Sequence, residues 1–190
     1  MTADRPQVHV ERREAWRAWL AEHHASAGGA WLVSWKSATG RPVVGYGAAV
    51  EEALCFGWID SLARTLDEER SMQLFTPRRP GSRWSRSNKD RVARLEAAGL
   101  IEPAGAAVIA AARADGSWSA LDDVENLVVP DDLAAAFAAH PGAAGHWERF
   151  SPAARRAMLT WVLDAKRPET RATRIERIAA EAAAGRRALS

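Results

Sequence analysis

The sequence predicts an α+β fold: a small antiparallel sheet with flanking helices, followed by a helical C-terminal region. Three observations predict it. Trp31, Val33 and Trp35 alternate with Leu32, Ser34 and Lys36, the period of two of a strand buried mainly on one face. Two further alternating runs, Trp58–Leu66 and Ser71–Leu74, flank the polar turn Asp67–Arg70 and predict a hairpin. From Ser85 onward, apolar residues return every three or four positions between glycine and proline stops, which is helical spacing.

Each element has its own signal. Trp16, Trp19, Leu20 and His23 share one face of a first helix over 11–25, and Gly28 and Gly29 stop it. Over 46–56, Tyr46, Val50, Ala53 and Leu54 form a second apolar stripe, with Gly57 where a helix ends in a left-handed residue. Ser85 opens a helix with Asn88, Val92 and Leu95 inward and Gly99 as its stop. Pro103 and Gly116 bound the next helix, and Pro130 with Asp131 and Asp132 opens another. Ser151-Pro152 is an N-cap followed by proline at the first position; Met158, Leu159, Trp161 and Val162 give that helix its buried face. Pro168 introduces a last helix carrying Ile175 and Ile178. The expected organisation is an α+β core region, 1–100, with a helical region, 101–190, packed on it as one compact domain.

With 47% hydrophobic and 26% charged residues among 190, the chain is of ordinary globular composition. Nine Trp against one Tyr and four Phe is not ordinary: much burial falls to indoles, each with an N–H that wants a partner. The single Cys55 excludes an intramolecular disulfide and fits a reducing compartment. No apolar run spans a bilayer, and MTADRPQVHVERREAW has no apolar signal core, so a cytoplasmic protein without membrane insertion is expected.

Catalytic chemistry finds little support. Glu51 lies one helical turn before Cys55, where a carboxylate disfavours the thiolate, so Cys55 is expected to be a buried structural residue. His9, His23, His24, His140 and His146 form no metal-ligand spacing, and no metal is expected. Phosphate-binding glycine loops and nucleophile elbows are absent, so no cofactor is expected and catalytic residues stay unassigned.

Charge is segregated beneath a net of +2. Residues 78–94 hold seven Lys/Arg against one Asp, 101–147 hold seven Asp/Glu against one Arg, and 148–190 hold ten Lys/Arg against five Asp/Glu. Arg78, Arg79, Ser82, Arg83, Trp84, Ser85, Asn88 and Lys89 form the candidate anion site, together with Asp60 and Arg64, which would position the loop. Guanidinium groups match carboxylate or phosphate oxygens, hydroxyls add donors, and a helix start adds free N–H groups. Pairing of these arginines with the acidic segment, with Ser85 as a plain cap, is the alternative. Asp60 and Arg64 fall on one expected strand face with Trp58 and Leu62, where a charge needs a partner; Asp60 paired with an arginine of the 78–83 loop would order that loop. Lys166, Arg167, Arg171 and Arg174 form a second basic face, for which solvated helix charge is the alternative.

EEALCFGWIDS, FTPRRPGSRWSRSNKDRV and WVLDAKRPETRATRI, in this order, resemble the YdeI/OmpD-associated (bacteriocin-protection) family over essentially the whole chain. The resemblance implies a link to bacteriocin protection and to an outer-membrane porin, and brings no catalytic residues or cofactor. Two departures from the family pattern, Gly45-Tyr46-Gly47-Ala48 in place of a hydroxyl cap with acidic residues and Ser37 in place of a second Lys, argue against a ligand role at the start of the helix before Cys55.

The leading expectation is a stress- or bacteriocin-protection protein that binds a small anionic ligand or an acidic protein surface without turnover. A small enzyme using Asp60 as acid or base is the competing expectation. Nucleic-acid association through both basic segments is the third, without a helix-turn-helix, zinc-finger or aromatic RNP motif to support it. Oligomeric state is not encoded in any feature of the sequence.

Overall fold

The computed structural model describes residues 5–189; Met1–Asp4 and Ser190, the outermost ends of the leader and domain readings, lie outside the described residues. Contacts divide the chain at Ser119/Ala120 into two compact units.

The first unit holds a four-stranded sheet, β1 (Gln7–His9), β2 (Ala30–Trp35), β3 (Trp58–Thr65) and β4 (Arg70–Pro77), in the order β1-β2-β4-β3. Pairing of β2 with β4 and of β4 with β3 is antiparallel, as the sequence predicts. The sheet as a whole is mixed, because β1 runs parallel to β2. Three residues are too short a run for alternation to reveal β1 in the sequence.

Among the described residues this unit holds the α-helices α1 (Arg13–His23), α2 (Tyr46–Cys55), α3 (Arg86–Ala97) and α4 (Pro103–Asp115). They cover the sheet face that carries Ala30, Leu32, Trp58 and Phe75, and the core forms there with Trp16, Leu20, Leu54, Val92 and Ile109. Two buried indoles are anchored by backbone: Trp16 Nε1 donates to the Ala49 carbonyl at 3.1 Å and Trp58 Nε1 to that of His24 at 3.2 Å. The apolar stripe of α2 begins at Ala49, not at Tyr46, whose ring is 58% exposed. Gly57 ends α2 at φ +74°, where a side chain is strained. Gly105 has a steric role, since a Cβ there would fall 2.2 Å from the Cys55 carbonyl oxygen, so α4 can lie close on α2.

Beneath α1, Glu52 is buried and receives Arg13 and Arg17, and Arg17 also reaches Glu102. This network ties α1, α2 and the start of α4 together. Cys55 beside it is fully buried, and burial raises its thiol pKa, as a structural cysteine should behave.

The opposite sheet face carries Trp31 and Trp35. Arg64 lies over Trp31 and Arg41 over Trp35, their guanidinium carbons 5.3 and 4.1 Å from the ring centres. Val33 and Leu74 are buried on this face. The alternation in β2 is therefore real, but the main core takes Ala30 and Leu32, and the tryptophans sit under arginines.

The second unit is helical: α5 (Asp122–Glu125), α6 (Asp131–Ala139), α7 (Ala143–Arg149), α8 (Pro152–Leu163) and α9 (Pro168–Ala183). Proline at the first turn of α8 and α9 and the Ser151 cap, accepting from Ala154 N–H, start helices where the sequence predicts. Leu133, Trp147, Met158, Ile178 and Ala179 form its core. Trp161 is only half-buried. No described helix is long and apolar enough to cross a membrane.

Candidate functional site

The loop after β4 builds the site from a backbone turn. Arg78 N–H donates to the Gly57 carbonyl at 2.9 Å, Ser82 N–H to that of Arg79 at 3.1 Å, and Trp84 N–H to that of Ser117 at 3.3 Å. These bonds fold the arginine back over the indole. Its guanidinium carbon lies 3.8 Å from the Trp84 ring centre, and Nη2 donates to the carbonyls of Arg83 (2.5 Å) and Ser82 (3.4 Å).

Arg78 is 8% exposed, and among the described residues no carboxylate lies within ion-pair distance of it. Burial without a close counter-charge drives its pKa from the ordinary value down to about 10, and the charge of Asp60 opposes the shift. The Arg78 Nε–H, the Trp84 indole N–H and the Ser117 hydroxyl are buried and make no hydrogen bond of good geometry. All three residues line a pocket of about 60 Å³, together with Arg79, Ser82 and Asp115. Two arginines against one aspartate leave that lining at a net charge of +1. Asp115 is exposed and turned towards its own loop: Oδ1 accepts from Ser117 N–H at 2.8 Å, and the neighbouring Ser117 hydroxyl helps to hold its pKa low. An orphan indole N–H alone is no site, since Trp147 in the second unit has one too. What distinguishes this pocket is a buried guanidinium without a carboxylate at ion-pair distance together with the orphan Trp84 N–H.

The other sequence candidates divide. Ser82 Oγ donates to the Arg79 carbonyl at 2.6 Å and so shapes the loop. Ser85 is the cap of α3, accepting from Asn88 N–H, and Asn88 Oδ1 accepts from Arg91. Arg79 is exposed on the pocket rim, while Arg83 and Lys89 each have partners within the protein. Asp60 does not pair with an arginine of the loop; it accepts from Tyr46 Oη at 2.8 Å and acts on Arg78 only through its charge. Arg64 lies on the opposite sheet face from Asp60. The register runs Asp60↔Phe75 but Arg64↔Met72, so a bulge between Asp60 and Ala63 inserts one residue and reverses the alternation. That bulge is why the two do not share a face with each other.

The second basic face is largely engaged. Arg171 grips Asp132 with two bonds, at 2.6 and 2.9 Å, which holds the carboxyl pKa down. Arg174 donates to the Trp161 carbonyl at 2.5 Å and lies over that ring. Lys166 is exposed beside Arg167, which occupies the N-cap position of α9.

A larger opening lies where the helix-covered face of the sheet runs out beyond the core. It is a cleft of about 430 Å³ lined by Leu32, Ser34, Gln73 and Phe75 of the strands, and by Lys36, Gly45, Tyr46 and Ala49. Among the described residues no group of three or more His, Cys, Asp or Glu is placed to hold a metal ion.

Two family models match. Residues 8–108, just over half of the chain, match a domain of unknown function (DUF8412), and residues 126–185 match the family described as bacteriocin-protection, YdeI or OmpD-associated. The chain belongs to the DUF8412 family and carries a YdeI/OmpD-associated domain after it. Of the three sequence motifs, EEALCFGWIDS and FTPRRPGSRWSRSNKDRV lie in the DUF8412 part, which holds Arg78 and Trp84; WVLDAKRPETRATRI lies in the YdeI/OmpD-associated domain. Neither a curated protein nor a solved structure matches the chain.

Sequence reasoning reached Arg78, Ser82 and Trp84 and missed Asp115 and Ser117. Those two lie more than thirty residues further on, and only tertiary folding brings them to the loop. The cleft had a signal that the sequence reading did not use: Ser34, Ser71 and Gln73 fall at even spacing from the core residues Leu32 and Phe75, so they share the core face.

Proposed function

We propose that the first unit binds a small anion or a single carboxylate group on Arg78, and that the protein serves stress or bacteriocin protection by binding. The observation that carries this reading is a buried guanidinium with no carboxylate at ion-pair distance among the described residues, whose Nε–H, like the Trp84 N–H, has no acceptor, the two residues lining one small pocket. A buried cation costs stability unless something neutralises it, and buried donors cost more when unmet. An anion supplies both the charge and the acceptor. The volume of about 60 Å³ corresponds to roughly two waters' share of liquid, so the occupant is a group of carboxylate size. A free small acid and a side chain from an acidic protein surface both present that group. Among the described residues neither a thiol nor an imidazole lines the pocket, and its carboxylate, Asp115, is engaged by Ser117 N–H, which favours binding over turnover. Protection is the role named in the description of the second domain, and a lone buried Cys55 favours the cytoplasm as its setting.

Thermal denaturation in sodium formate, exchanged for gluconate at constant ionic strength, tests the reading. Formate should raise the melting temperature saturably in the wild type and not in Arg78→Met. Equal responses of the two proteins, or none in the wild type, would refute it. A gel shift that falls steeply with salt would instead point to nucleic acid. In cells lacking the protein, Arg78→Met should fail to restore bacteriocin resistance.

A further inference from the structure

We propose that the cleft beside the start of α2 is a second binding site, for a small organic monoanion with an apolar or aromatic body. It stands apart from the Arg78 reading and shares no lining residue with that pocket.

The sheet face changes character along its length. Under the helices it presents Ala30, Leu32 and Phe75, all within the core. One step further along the same face come Ser34 on β2 and Gln73 and Ser71 on β4, by the registers Leu32↔Gln73 and Ser34↔Ser71. A strand face that packs on helices is normally apolar throughout, because polar groups lose water there. Here the three polar side chains are half-buried, and none makes a hydrogen bond among the described residues. They open into the cleft of about 430 Å³, within the range of small-molecule sites. Hydroxyls and an amide offer donors and acceptors, and Leu32 and Phe75 offer an apolar floor.

Charge selects the ligand class. Lys36 is the only charged residue in the lining, and no carboxylate shares it. Its ammonium donates to the carbonyls of Asp67 (2.7 Å) and Glu68 (3.0 Å), which leaves one of three N–H donors for a ligand and fixes the side chain at the rim. Tyr46 forms the facing wall, its hydroxyl tied to Asp60. An apolar body over Leu32 and Phe75, polar contacts to Gln73 and the serines, and an anionic group at Lys36 match this lining. The departures at Gly45–Ala48, which from the sequence argue against a ligand here, leave the mouth open: no atom lies within 4 Å of a Cβ built on Gly45 or Gly47.

Titration of the isotope-labelled full chain with 2-naphthoate, followed by nuclear magnetic resonance, tests the site. Saturable shifts are expected at the Gln73 side-chain amide and the backbone amides of Ser34, Ser71 and Tyr46. The neutral 2-naphthalenemethanol should bind about tenfold more weakly, having lost the charge-assisted contact. Ser71→Leu should abolish the shifts while the rest of the spectrum persists; if it does not fold, Ala63→Leu at an exposed position closes the same cleft. Absence of saturable shifts at these residues, or their survival in the filled variants, would overturn the site. Equal binding of the alcohol would overturn the anionic class.

Discussion

Arg78 and Arg171 both come from basic segments that read alike in the sequence, yet they end in opposite circumstances. Arg171 is one-third exposed and holds Asp132 in a two-point grip. Arg78 is deeper, has no carboxylate at ion-pair distance, and spends its donors on two carbonyls and an indole face. The electrostatics follow: pairing raises the pKa of Arg171, while burial lowers that of Arg78 to about 10. Arginines of like sequence context therefore differ: Arg171 has its own acid at ion-pair distance, and among the described residues Arg78 has none.

The largest expected effect separates the two directly. Arg78→Ala removes a buried side chain from the Trp84 face and frees the 78–85 loop, so it should cost about 3 kcal/mol in urea unfolding. Arg171→Ala breaks a partly exposed pair and should cost less than about 1 kcal/mol. Equal losses would break the comparison.

Arg78→Met sharpens it. Methionine keeps an apolar stack on Trp84 and removes the unpaired charge, so stability without formate should stay within about 1 kcal/mol of wild type or rise above it. A loss as large as that of Arg78→Ala would show that the charge is already compensated inside the fold. Trp84→Phe retains a ring but deletes the orphan N–H, and formate affinity measured by thermal shift should fall about fivefold.

The smallest effect is in pH. The folded Asp132 pKa is lowered by Arg171, so its contribution is present above the ordinary carboxylate value and is lost as pH falls through the folded one. Asp132→Asn should flatten the acid limb of stability below pH ~4, by less than about 1 kcal/mol given the exposure of the pair. Arg78 has the opposite sign. Its lowered pKa means that its charge opposes folding at neutral pH, a penalty relieved only as pH rises beyond about 10.

Local signals carried most of the fold. Caps, glycine stops and prolines located α3, α4, α6, α8 and α9, because those determinants lie within a few residues of the element they bound. Short elements escaped: β1 has three residues and α5 four, too few for a period to show. The bulge in β3 escaped for another reason. One inserted residue is invisible in composition, yet it moves Arg64 to the face opposite Asp60. The candidate site was legible as far as Arg78, Ser82 and Trp84, which lie on one loop. Ser117, Asp115 and the absence of a carboxylate at Arg78 depend on distant segments.

The most direct test of anion binding at Arg78 is a resonance titration of the full chain with sodium formate at constant ionic strength, following the Arg78 Nε–H and the Trp84 indole N–H. Both should shift saturably with one dissociation constant in the wild type, and the Trp84 shift should vanish in Arg78→Met. An unresponsive pair of resonances, or a Trp84 shift that persists without the guanidinium, would contradict the account.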